Sequence, residues 1–421
     1  MKLDTKSYYP KLVDIKNAAN TLKEVVAVTP LLLNYTYSNE YGANVFLKRE
    51  DLQQVRSYKI RGAYNKISSL SEEELANGIV CASAGNHAQG VALACSIKKI
   101  FGTIYMPTPT PKQKVDQVKM FGGEFVNIQL SGDTFDDAYN EAKSVSDRLE
   151  KTFVHPFDDE KIIEGQGTVG LEIIEQSAQT IDYVFVPVGG GGLASGLSTV
   201  FKMISPETKI IGVEPEGAPS MKTALEKGEN IKLDTIDKFV DGAAVQQAGH
   251  LTHKICQENL TEMITVPEGK VCQTILDMYN KDAIVVEPAG ALTLAALDLY
   301  RDKIKNKNIV CVVSGSNNDI TRTAEIKERA LLFSGLKHYF IVRFPQRAGA
   351  LKEFVMDVLG KNDDITFFEY SKKTNRENGP AIVGVEIEKV EDLQPLINRM
   401  KERNFYGEYL NNKPNLFEFL V

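Results

Sequence analysis

From about residue 48 to residue 330, short apolar runs alternate with longer stretches in which apolar positions recur every three or four residues. Residues 79–82 read as a strand feeding a helix over 88–97, and residues 103–106 as a strand feeding a helix over 112–121. Residues 124–128 precede a helix over 134–150, and residues 183–188 a helix over 193–203. Further strands are expected over 209–213, 262–266 and 309–313. Strand and helix in alternation predict α/β layers built on largely parallel sheets. Continuously apolar strands such as Val184-Phe185-Val186 suit a sheet covered on both faces.

The pattern changes after residue 330. Residues 339–344 read as a strand, 349–359 as a helix, 365–370 and 382–387 as two strands, 390–403 as a helix and 416–421 as a last strand. That order, β-α-β-β-α-β, is the ferredoxin-like arrangement, in a segment large enough to fold on its own. Two domains are therefore expected, 1–330 and 337–421, with the boundary near 333–337. No internal repeat interrupts either.

Composition narrows the class. With 421 residues, 43% hydrophobic and 25% charged, the chain can bury sizeable cores. A formal net charge of -7 without a long basic run argues against nucleic acid as the main partner. Cys81, Cys95, Cys256, Cys272 and Cys311 form no CxxC pair and stand apart from spaced histidines, so neither a metal site nor a disulfide framework is expected. The polar first residues lack a signal-peptide core, and no apolar window is long enough to span a bilayer. A cytoplasmic protein without a membrane partner is the expectation.

Three segments carry candidate chemistry. In Ser57-Tyr58-Lys59-Ile60-Arg61-Gly62-Ala63, the lysine sits among apolar, aromatic and cationic neighbours. Burial and nearby cations lower an amine's pKa, which a Schiff-base lysine requires; taken alone, the same lysine reads first as a solvated residue at a helix start, and only the rest of the constellation reverses that. Ser83-Ala84-Gly85-Asn86-His87 lies at a strand-to-helix junction, where α/β sheets bind ligands. Asn86 can donate to a phenolate oxygen, the free amides can hold a carboxylate, and His87 reads equally as a capping or core residue. Gly189, Gly190, Gly191 and Gly192, followed by Leu193, lie between a strand and a helix. Their N–H groups and the helix N-terminus form a phosphate-sized anion site without the Walker lysine or the dinucleotide GxGxxG spacing. Ser314, in Ser314-Gly315-Ser316-Asn317, places a hydroxyl after the strand at 309–313. A lysine, a polar turn and a phosphate loop are the parts that hold pyridoxal 5′-phosphate.

In this order, and together with Glu287-Pro288-Ala289-Gly290-Ala291, these segments resemble the fold-type II pyridoxal-phosphate enzymes, specifically the threonine dehydratases. The resemblance implies a tryptophan-synthase-β-like body of two open α/β subdomains plus an ACT-like regulatory tail. It implies that Lys59 carries the cofactor and serves as base at the substrate α-carbon. Gly189–Leu193 would cradle the cofactor phosphate, Asn86 would bond its 3′-oxygen and Ser314 would meet its ring nitrogen. Ser83, Asn86 and His87 would surround the substrate carboxylate, and Gly242 would border the cofactor face. Tyr58 departs from the phenylalanine that many relatives carry. Ala84 stands where related serine racemases carry a serine acid/base, which favours elimination over racemisation. The implied activity is β-elimination of L-threonine to 2-oxobutanoate and ammonia, the step that opens isoleucine synthesis, with L-serine as a second substrate. The tail, with Phe344-Pro345-Gln346-Arg347-Ala348-Gly349-Ala350-Leu351, implies a branched-chain amino-acid effector, isoleucine being the family inhibitor, and the family implies a homo-oligomer, dimer or tetramer. A serine dehydratase or serine racemase of the same fold is the nearest alternative. A non-catalytic amino-acid sensor is the alternative from another class, and the intact Lys59 opposes it.

Overall fold

The computed structural model describes residues 8–370 and 378–413, and it divides into two compact units, Met1–Ile320 and Thr321–Val421. The division falls before the helix Thr323–Phe333, so that helix belongs with the second unit rather than with the body to which the 1–330 expectation assigned it.

In the first unit a six-stranded sheet runs in the order Leu31–Leu33, Asn44–Arg49, Asn308–Val313, Tyr183–Pro187, Lys209–Pro215, Glu262–Val266. Only the first pairing is antiparallel. A four-stranded parallel sheet runs Val126–Leu130, Gly102–Met106, Ile79–Ala82, Thr152–Phe153. The central strands are apolar throughout because helices cover both faces of each sheet. Val184, Phe185 and Val186 have no exposed surface, and neither do Val80, Cys81 and Ala82. Turns bring the chain back at defined points: the helix Glu72–Asn77 opens on a capping box between Ser71 and Glu74, and Phe135–Arg148 on one between Thr134 and Asp137. Each parallel strand feeds a helix, so the loops that change direction gather at the carboxyl ends of the strands, where such sheets bind ligands.

The second unit is a four-stranded antiparallel sheet in the order Asp364–Tyr370, Asn378–Glu386, Lys337–Pro345, Tyr406–Tyr409. With the helix Leu393–Glu402 and the helical turn Ala350–Glu353, which widens into a π-turn over Phe354–Val358, this is the expected β-α-β-β-α-β order. Phe340, Phe344, Phe354, Val383, Leu396, Met400 and Phe405 fill its core. The structure puts the fourth strand at Tyr406–Tyr409. The strand expected over 416–421 lies outside the described residues.

Among the described residues no helix is long and apolar enough to cross a membrane, and no cluster of three or more histidine, cysteine or acidic side chains is arranged to hold a metal. The five cysteines are free thiols, and all are buried.

Candidate active site

Lys59 opens the helix Lys59–Ser68. The residues before it are stitched to the end of the strand Asn308–Val313: Ser57 forms an antiparallel bridge with Gly315, the Tyr58 N–H donates to the Ser314 carbonyl at 3.2 Å, and the Ser316 N–H to the Arg56 carbonyl at 2.9 Å. Lys59 and Ser314 are thereby locked side by side, although 255 residues separate them (314 − 59). The Lys59 Nζ donates to the Pro156 carbonyl at 3.0 Å. Burial lowers its pKa to about 8, against the opposing pull of Glu287. Near neutral pH, a usable fraction of this amine is therefore uncharged.

The Ser83–His87 turn follows the strand Ile79–Ala82 and opens the helix Asn86–Lys98. The Ser83 Oγ accepts from the Gly85 N–H at 3.2 Å and shapes the turn. His87 is buried, with Nε2 3.0 Å from the Val154 carbonyl. Burial, with Lys59 as a further cationic neighbour, depresses its pKa to about 3, so the ring is neutral. The Asn86 side chain bridges the two sheets. Its Nδ2 donates to Glu287 Oε1 at 2.7 Å, and its Oδ1 accepts from Asn317 Nδ2 at 2.5 Å.

The glycine loop follows Tyr183–Pro187 and runs into the helix Gly192–Ile204, whose first turn holds the buried Leu193. Gly191 sits at φ +91°, a conformation costly for other residues, and a Cβ at Gly190 would stand 2.2 Å from the Phe157 ring. The loop thus keeps its backbone bare at the N-terminus of a thirteen-residue helix.

One segment that sequence reasoning passed over joins these pieces. Across residues 154–158, the Val154 carbonyl meets His87, the Pro156 carbonyl meets Lys59, and Phe157 packs on Gly190 and Gly192. Asp158 accepts from the His250 and Leu251 N–H groups at 2.9 Å and so caps the helix His250–Asn259. Its run of His, Pro, Phe and Asp after a two-residue strand was the available signal.

These residues fit pyridoxal phosphate. They supply a partly enclosed amine of lowered pKa, a bare N–H cradle for a phosphate and a buried Ser314 hydroxyl at a strand end. Ser57 Oγ and Asn317 Oδ1 are buried and without a hydrogen-bond partner among the described residues, as polar atoms beside a ligand site are.

Two open α/β sheets meeting over such an amine define the pyridoxal-phosphate-dependent lyase and racemase class. Residues 22–315 match the family described as pyridoxal-phosphate dependent enzyme, and residues 328–420 match the C-terminal regulatory domain of threonine dehydratase. The L-threonine dehydratase biosynthetic IlvA of Halalkalibacterium halodurans is 56% identical over 411 residues, covering 98% of this chain and 99% of that one. Threonine deaminase isoform 2 from Solanum lycopersicum, in its processed form, superposes with a TM-score of 0.72 at 42% identity over 78% of this chain and 91% of that one. A serine racemase from Dictyostelium discoideum superposes with a TM-score of 0.68 at 33% identity, over 74% and 99%. The chain belongs to the threonine dehydratase family of pyridoxal-phosphate-dependent enzymes.

Proposed function

We propose that the chain catalyses the β-elimination of water from L-threonine, releasing an enamine that hydrolyses to 2-oxobutanoate and ammonia. The observation that carries this reading is Lys59, an amine of lowered pKa fixed beside a phosphate cradle and the Ser314 hydroxyl. Pyridoxal phosphate, when bound, supplies the electron withdrawal that acidifies the substrate α-carbon. Lys59, in its neutral form and oriented by the Pro156 carbonyl, takes the α-proton at Nζ. The glycine loop and Leu193 hold the phosphate at the start of the helix Gly192–Ile204, and Asn86 holds the 3′-oxygen. Ser314 offers the ring nitrogen a neutral hydroxyl rather than a carboxylate, which favours direct elimination over a long-lived carbanion. The N–H groups that open the helix Asn86–Lys98 receive the substrate carboxylate, with Ser83 shaping the turn and the neutral His87 anchoring it.

Ala84 offers no hydroxyl in the turn that faces the substrate, so a second proton donor for inversion is missing there. That favours dehydration over the racemisation named for the Dictyostelium relative. The second unit, matching a threonine dehydratase regulatory domain, binds a branched-chain amino acid, isoleucine in the first instance, and lowers turnover in a homo-oligomer. The test is 2-oxobutanoate formation from L-threonine by the cofactor-loaded full chain, with L-serine as comparison and isoleucine as effector. Turnover of neither hydroxy amino acid would overturn the assignment.

A further inference from the structure

Glu287 lies at the N-terminal boundary of the helix Pro288–Ala295 and is only 4% exposed. A carboxyl buried so deeply is costly unless its oxygens are bonded, and here the bonds come from every side of the site. Oε1 accepts from the Asn86 Nδ2 at 2.7 Å, across the cleft between the two sheets. The Asn317 backbone N–H also bonds the carboxylate, and the Asn317 side chain holds the other end of the Asn86 amide. Two backbone turns close round the same oxygen. A Cβ at Gly315 would lie 2.5 Å from Oε1, and one at Gly242 would lie 3.3 Å from it. The carboxylate therefore touches two segments assigned to the cofactor in the proposed function, the Asn86 turn and the turn after Ser314, and the Gly242 turn that the family resemblance places at the cofactor face.

We propose that Glu287 is a positioning residue for the cofactor, acting by fixing the orientation of the Asn86 amide. An asparagine amide can rotate, and only a fixed acceptor on Nδ2 together with a fixed donor on Oδ1 leaves its remaining N–H aimed one way. Glu287 is that acceptor and Asn317 that donor. Asn86 thereby reaches a ligand oxygen without first being ordered, which is preorganisation rather than an added contact. The charged groups around Glu287 are Asp241, which raises its pKa, Lys114, which is ion-paired with Asp241 at 2.5 Å and lowers it, and Lys59. Burial dominates and brings the carboxyl to about 7, so its ionisation falls within the working range of such an enzyme.

This inference rests on the cofactor reading above, and the test separates the two. Cofactor dissociation constants are measured by diluting holoenzyme and following its visible band, for wild type, Asn86→Ala, Glu287→Ala and the double variant. Removing a charged hydrogen-bond partner should weaken cofactor binding roughly 10- to 100-fold in Glu287→Ala. Of these contacts only the Asn86 amide is proposed to carry the effect on the cofactor, so the double variant should be no more than about threefold weaker than Asn86→Ala. Glu287→Gln, which keeps an acceptor, should bind within about threefold of wild type. Wild type should show an inflection near pH 7 when its visible band is titrated, and Glu287→Gln should lack it. Wild-type affinity in Glu287→Ala beside weakened Asn86→Ala overturns the inference and leaves the proposed function standing, as do multiplicative losses in the double variant. Wild-type affinity in Asn86→Ala overturns the placement of the cofactor and the inference with it. If Glu287→Ala does not fold, the titration of Glu287→Gln decides, and an unchanged inflection counts against the inference.

Discussion

Lys59 and His87 show how one buried environment assigns opposite tasks. Both pKa values fall through burial, to about 8 for the amine and about 3 for the imidazole. The amine gains a usable neutral fraction, while the imidazole is excluded from acid chemistry. His87 has a consequence for stability. Its folded pKa lies below the ordinary 6.5, so below that pH the unfolded chain takes up a proton that the folded chain refuses. Stability is therefore lost as pH falls from 6.5 towards 3, by about 1.4 kcal/mol per pH unit once well below 6.5. His155, depressed to about 4, acts in the same direction. Glu287 acts oppositely: raised to about 7, it holds a proton that the unfolded chain has lost, and stability falls as pH rises from 4.5 to 7. We expect His87→Asn to lose less Tm than wild type between about pH 6.5 and pH 5, and an equal loss would contradict the burial argument. Ala84→Ser should acquire D-serine formation from L-serine, read by chiral chromatography, where the parent should form none; no D-serine in a well-folded variant would remove Ala84 from the account of specificity. Glu287 was legible in the sequence only as part of a motif. Its importance arises from contact with Asn86, 201 residues away, and no local pattern announces that.

At the scale of elements, the strand Ile79–Ala82 falls where the apolar run put it, because a covered strand is apolar along its whole length, and Glu262–Val266, at the sheet edge, falls in place on its buried Met263, Ile264 and Val266. The helix Glu160–Gln176 escaped notice. Gly165, Gly167 and Gly170 interrupt its pattern like a loop, yet they are there for packing. A Cβ at Gly165 would lie 2.6 Å from the Arg61 carbonyl, and one at Gly167 would lie 3.1 Å from the Gly196 carbonyl. The strand Tyr406–Tyr409 was missed for the opposite reason: Tyr-Gly-Glu-Tyr is half-buried throughout and carries no apolar run. The helix that presents Lys59 rests on a buried ionic cluster. Arg61 Nη2 meets Glu50 Oε1 at 2.7 Å, Arg61 Nη1 meets Glu172 Oε1 at 2.6 Å, and Lys48 Nζ meets Glu172 at 2.5 Å. Arg61→Ala leaves Glu50 buried without its guanidinium and should cost about 3–5 kcal/mol in urea unfolding, where a loss under about 1 kcal/mol would show the cluster to be dispensable.

At the scale of the whole molecule, a compact first unit ending at Ile320 holds every residue assigned to the chemistry, and the second unit has its own sheet and core. The proposed regulation should therefore be separable from the proposed catalysis. A chain ending at Ile320 should keep threonine turnover and lose its response to isoleucine. A coupling of about 1–3 kcal/mol would shift threonine affinity roughly 5- to 150-fold in the full chain. A truncated chain still inhibited by isoleucine would place the effector site in the first unit. The most direct measurement is 2-oxobutanoate release from L-threonine by the cofactor-loaded full chain, run beside Lys59→Ala. In the proposed function Lys59 is both the covalent anchor and the α-carbon base, so the variant should fall by more than the roughly 10²- to 10⁴-fold typical of losing a general base, while its Tm stays near wild type. Undiminished turnover by folded Lys59→Ala would contradict the account at its centre.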